Sequence, residues 1–71
     1  MTIHTISITY NGHPMAIDAH FTLQEFVTTH TEAQPPFAVA VNSRFVAKEF
    51  YHSTILKEGD AIELVVPMQG G

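Results

Sequence analysis

The sequence predicts an α+β roll, a mixed four- to five-stranded sheet with one main helix, and three observations carry that expectation. Polar and apolar residues alternate through Thr5-Ile6-Ser7-Ile8-Thr9-Tyr10 and run straight into Asn11-Gly12, the pattern of a half-buried strand entering a tight hairpin turn. Phe21-Thr22-Leu23-Gln24-Glu25-Phe26 carries the signature of a helix start. Beyond Pro35-Pro36, three further strand-like runs at 37–41, 45–48 and 61–66 are separated by turn residues.

The elements follow in order. Asn-Gly favours the two positive φ values of a type I′ turn, so residues 13–17 are expected to pair back on the first strand. Pro14 has no N–H for a ladder, which places it at a strand start or on an edge. Thr22 and Glu25 form a capping box, with the hydroxyl accepting from the N3 amide and the carboxylate from the N-cap amide, and Phe21 and Phe26 occupy staple positions around it. The helix therefore starts at Leu23, with Leu23, Phe26, Val27 and His30 on one face. The threonines at 28, 29 and 31 are poor helix formers and Pro35-Pro36 forbids continuation, so the helix is short. Phe37-Ala38-Val39-Ala40-Val41 reads as a strand with larger residues on one face and alanines on the other. Asn42-Ser43 is a turn, and residues 45–48 form a short strand. Phe50, Tyr51, Ile55 and Leu56 anchor an irregular segment, 3₁₀ or coil. Lys57-Glu58-Gly59-Asp60 turns into a last strand whose parity puts Ile62, Leu64 and Val66 toward the core and Glu63 and Val65 outward.

Composition narrows the function classes. At 71 residues the chain is a single domain, expected as a monomer when free, with 45% apolar and 14% charged residues, which is too apolar for disorder. It has no cysteine, so disulfides, thiolate metal sites and cysteine nucleophiles are excluded, and any sulfur chemistry uses sulfur brought by a partner. A net charge of −4, with only Arg44, Lys48 and Lys57 as cations, argues against nucleic acid and favours partners with a basic face. No cation precedes Arg44 and no apolar run approaches a membrane span, so neither a signal peptide nor a membrane is expected and the location is read as cytoplasmic. His4, His13, His20, His30 and His52 are scattered without ligand spacing, so no metal is expected. Glu58 and Asp60 flank a turn glycine and read as a solvated turn, not as an acid–base pair. Ser43 and Ser53 lack any nucleophile-elbow context.

The most informative feature is the ending, Val65-Val66-Pro67-Met68-Gln69-Gly70-Gly71. With no Cβ on Gly70 or Gly71, the last peptide units can thread a narrow cleft and present the carboxylate to a reacting centre. A carboxylate reacts with nucleophiles only after one oxygen becomes a leaving group, and adenylation by ATP provides that. The other reading of these residues is a fraying tail without chemistry. Residues 68–71 are expected to be mobile in the free protein and ordered only in an enzyme cleft.

The order ββαβββ, one helix over a mixed sheet, is that of ubiquitin-like β-grasp rolls. Within it, Ala40-Val41-Asn42-Ser43-Arg44-Phe45-Val46, then Leu56-Lys57-Glu58-Gly59-Asp60-Ala61-Ile62-Glu63-Leu64, then Gln69-Gly70-Gly71 resemble the thiamin-biosynthesis sulfur carriers of the ThiS family, in family order and spacing. Val46-Ala47-Lys48 departs from the Val-Pro-Arg that many relatives carry. The resemblance implies a cosubstrate, not an enzyme. An E1-like adenylyltransferase, using its own ATP and Mg²⁺, would activate the Gly71 carboxylate; a persulfide donor would convert it to a thiocarboxylate; and thiazole synthase would take the sulfur. Gly71 would carry the group, Gly70 would give the tail (67–71) its narrow profile, Pro67 would stiffen its exit, and Met68 and Gln69 would contact the enzyme cleft. No cofactor would be bound to the carrier itself. Val65, outward by parity, and Met68 would form apolar docking surface beside the tail. The molybdopterin-synthase small subunit, or another ubiquitin-like carrier or modifier, is the alternative; the length and the Gln69-Gly70-Gly71 ending favour thiamin.

Overall fold

The N-terminal alternation forms a hairpin, in which β1 (Thr5–Tyr10) and β2 (His13–Asp18) pair antiparallel from Thr5 opposite Asp18 to Tyr10 opposite His13. The turn between them has φ of 49° at Asn11 and 84° at Gly12, the two left-handed values that Asn-Gly adopts readily. Pro14 lies on β2, which is an edge strand, so its missing N–H leaves no gap in the sheet interior. The computed structural model describes residues 4–31 and 36–66.

Helix α1 (Leu23–His30) starts where its capping box places it. The Glu25 amide donates to Thr22 Oγ1 at 3.1 Å, and the Thr22 amide donates to Glu25 Oε1 at 3.0 Å. The Leu23 N–H, another of the unpaired first-turn donors, goes to the Thr54 carbonyl at 2.7 Å, and Leu56 N–H returns to the Phe21 carbonyl at 2.8 Å. A segment more than thirty residues downstream thus pins the helix entry. Leu23, Phe26 and Val27 are buried as their spacing requires, whereas His30 is exposed and stacks on Phe26 with ring centroids 5.0 Å apart. Replacing Thr22 by Ala removes the side-chain half of the box and is expected to lower stability by about 1 kcal/mol. A urea melt with a lower midpoint and an unchanged slope is the expected record.

Strands β3 (Ala38–Val41) and β4 (Arg44–Val46) form a second hairpin, and β5 (Ala61–Val65) ends the described sheet. The order is β2-β1-β5-β3-β4. β5 runs parallel to β1 and antiparallel to β3, so the last strand lies at the centre of the sheet. Between β4 and β5, residues Lys48–Ser53 make a 3₁₀ helix that buries Tyr51, which resolves the segment the sequence left as 3₁₀ or coil. Burial pushes the Tyr51 phenol above its ordinary pKa and keeps it neutral. Phe26, Ile8, Leu23, Leu56, Ile62 and Val39, none more than 2% exposed, fill the space between α1 and the sheet. Each contributes about 1.5–3 kcal/mol by leaving water.

Two details differ from expectation: the fourth strand is Arg44–Val46 rather than residues 45–48, because Lys48 already opens the 3₁₀ helix, and Val66 does not face the core. Val66 is 50% exposed, not core-facing, because β3 pairing stops at Ala38 opposite Val65 and no sheet continues under the next residue. Ala40, on the alanine face of β3, is 5% exposed, since it lies in register between the larger side chains of Phe45 and Glu63.

Candidate functional site

The site is built around β5, because that strand leads to residues 67–71. A network of turn residues sets its start. Gly59 has φ of +85° and donates its N–H to the Ser7 carbonyl at 2.7 Å, while the Ser7 N–H donates to Glu58 Oε1 at 2.9 Å. Asp60 Oδ2 accepts the Lys57 N–H at 2.8 Å and its Oδ1 accepts Asn42 Nδ2 at 2.9 Å. Asn42 Oδ1 in turn accepts the Ala61 N–H at 3.0 Å. Glu58 and Asp60, read from sequence as a solvated turn, therefore bind main-chain and amide donors that hold β5 to β1 and β3. Charge-assisted bonds of this kind are the stronger class. The two sequence blocks around Asn42 and Gly59-Asp60 meet in space, and what they build together is the entry to β5.

The face of the sheet opposite α1 carries the apolar surface near the strand's end. Register puts Phe45, Ala40 and Glu63 in one row and Ala38 and Val65 in the next, all on that face. Val65 is 49% exposed and Phe45 is 72% exposed. The two lie on the same face, on either side of β3 and one row apart. Val65 is thus where parity placed it. Phe45 was not singled out from the sequence; it points outward because its neighbour Val46 on β4 packs against the core. Pro67, Met68, Gln69, Gly70 and Gly71, and with them the expected mobility of 68–71, lie outside the described residues.

Among the described residues no group of three His, Asp or Glu side chains is gathered for a metal, and no helix is long and apolar enough to cross a membrane. Among the described residues, a pocket of about 280 Å³ is lined by Pro36, Phe37, Lys48 and Tyr51.

Among the described residues, one α-helix laid across one face of a five-stranded mixed sheet, with the first and last strands parallel at its centre, defines the ubiquitin-like β-grasp class. The ThiS family model matches residues 8–71, and the chain belongs to the ThiS family. A crystal structure of a thiamine biosynthesis protein (ThiS) from Geobacter metallireducens is similar at 30% identity, over 93% of this chain and 100% of that one, with a TM-score of 0.81. No curated protein matches the sequence.

Proposed function

We propose that this protein is a sulfur carrier of thiamin biosynthesis whose Gly71 carboxylate is the group that is activated and loaded. The observation that carries this reading is the extent of the family match, which runs through the Gly70-Gly71 end. One Gly71 carboxylate oxygen attacks the α-phosphorus of ATP in an E1-like adenylyltransferase, forming an acyl adenylate and releasing pyrophosphate. A persulfide donor then displaces AMP through its terminal sulfur to give an acyl disulfide. A thiol cleaves that disulfide, leaving a Gly71 thiocarboxylate and a new disulfide. Thiazole synthase takes the sulfur from the thiocarboxylate. The carrier's own part is positional: it supplies an unhindered terminal carbonyl and a surface that holds it beside the nucleotide. ATP and Mg²⁺ belong to the enzyme. Family membership favours this branch over the molybdopterin-synthase small subunit.

Incubation with the adenylating enzyme, ATP, Mg²⁺ and a persulfide donor, followed by intact mass measurement, tests the reading. The expected product carries one sulfur in place of one oxygen, and an unchanged mass with an active donor system refutes it.

The docking surface is the Val65 and Phe45 face, joined by Met68. An aspartate introduced there is buried without a partner when the enzyme binds. Val65→Asp and Phe45→Asp are each expected to weaken enzyme binding about ten-fold or more, and neither empties the core, since both side chains are about half exposed or more. Titration calorimetry against the adenylating enzyme reads the affinity; wild-type affinity in both variants moves the docking surface elsewhere.

A further inference from the structure

We infer that Asn11 is a positioning residue for the C-terminal segment, because its side chain extends the β1–β5 ladder beyond the end of β1. β1 pairs with β5 only at Thr9 opposite Ala61 and Tyr10 opposite Ile62. The Thr9 N–H donates to the Asp60 carbonyl at 3.0 Å and the Asn11 N–H to the Ile62 carbonyl at 2.8 Å. In a parallel ladder the next bond runs from the Leu64 N–H to the main-chain carbonyl of residue 11. At Asn11 the chain has already turned, with φ of 49°. The Leu64 N–H donates instead to Asn11 Oδ1 at 2.9 Å. The side-chain amide, chemically a copy of the peptide group, replaces the carbonyl that the turn has carried away.

The consequence is local to the strand that precedes the tail. On the β3 side, β5 is held as far as Val65 opposite Ala38. On the β1 side, main-chain pairing stops at Ile62, and Asn11 Oδ1 secures Leu64. With that bond the strand's end is held from both sides up to Leu64, so the last residues of β5 are fixed in place. Without it the last residues of β5 are held from one side only. An enzyme cleft must then immobilise more of the segment on binding, which weakens association without altering the reaction once bound. Asn42 Oδ1 makes the matching bond at the start of β5, to Ala61, inside a network that also includes Asp60. Asn11 acts at the end that leads to Gly71.

This inference rests on the carrier reading, and two substitutions separate the two. Asn11→Gly keeps a residue suited to positive φ in the turn and removes the acceptor; Asn11→Asp restores an acceptor that also tolerates that φ. Amide hydrogen exchange on the free full-length chain reads the Leu64 bond, and ATP–pyrophosphate exchange by the adenylating enzyme reads the function. For Asn11→Gly the expected result is faster exchange at Leu64 and a KM for the carrier raised about five-fold at unchanged kcat, the effect of about one hydrogen bond. Asn11→Asp is expected to restore both. A wild-type KM in Asn11→Gly, a reduced kcat at constant KM, or an Asn11→Asp variant that recovers Leu64 protection without recovering KM overturns the positioning role and leaves the carrier intact. Absence of pyrophosphate exchange with the wild-type chain overturns the carrier reading and this role with it.

Discussion

Deleting Gly71 is expected to abolish ATP–pyrophosphate exchange while leaving the unfolding midpoint unchanged. The described core cluster ends at Leu64, and Val66 is already half exposed, so no described packing depends on the last residue. The chemistry depends on it entirely. With Gly70 as the new terminus the carboxylate retreats by one residue, about 3.3–3.6 Å along an extended chain. Displacements of even about 1 Å in a reacting group can reduce rate about a hundred-fold. Loss of exchange with an unchanged melt separates a reactive end from a structural one. Exchange at the wild-type rate from the truncated chain refutes the carrier mechanism, whatever the family.

Phe26→Ala is expected to produce the largest loss of stability, about 3–5 kcal/mol. Phe26 is 1% exposed and stands between Tyr10, edge-on at 5.1 Å, and His30, stacked at 5.0 Å. It therefore joins α1 to β1, and truncation leaves a cavity under the helix that its neighbours cannot close. A domain of this length has a total stability of about 4–10 kcal/mol. The substitution consumes a large share of that, and a chemical denaturation curve at 25 °C should show partial unfolding before much denaturant is added. Phe26→Leu, which retains most of the apolar volume, should recover much of the loss. An Ala variant within 1 kcal/mol of wild type would mean that Phe26 is not the helix's main anchor.

Local signals explain which expectations matched the structure. The capping box at Thr22 and Glu25, the Asn11-Gly12 turn and the alternation of β1 are each complete within a few residues, so their conformations follow from neighbouring chemistry. The outward direction of Val65 is a matter of parity in the same way. The expected bounds of β3 and β5 run one residue too far, at Phe37 and at Val66, because a strand ends where its partner ends and no residue carries that information about itself. The fold-level roles of Glu58 and Asp60 were equally hidden, since a carboxylate beside a turn glycine is ordinary until Ser7 and Asn42 arrive from elsewhere in the chain.

The sequence by itself determined the α+β class, the helix start, both Asn-centred turns, the lack of any cysteine chemistry, and the glycine-ended segment on which the proposed function turns. All of these are properties of short windows or of composition. Only the tertiary structure decided that β5 lies at the centre of the sheet, that Phe45 shares a face with Val65, and that Asn11 reaches Leu64. The β5 pairings and the Asn11–Leu64 bond join residues 21 to 53 positions apart, and their geometry exists only once the hydrophobic core has drawn β1, β3 and β5 into one sheet.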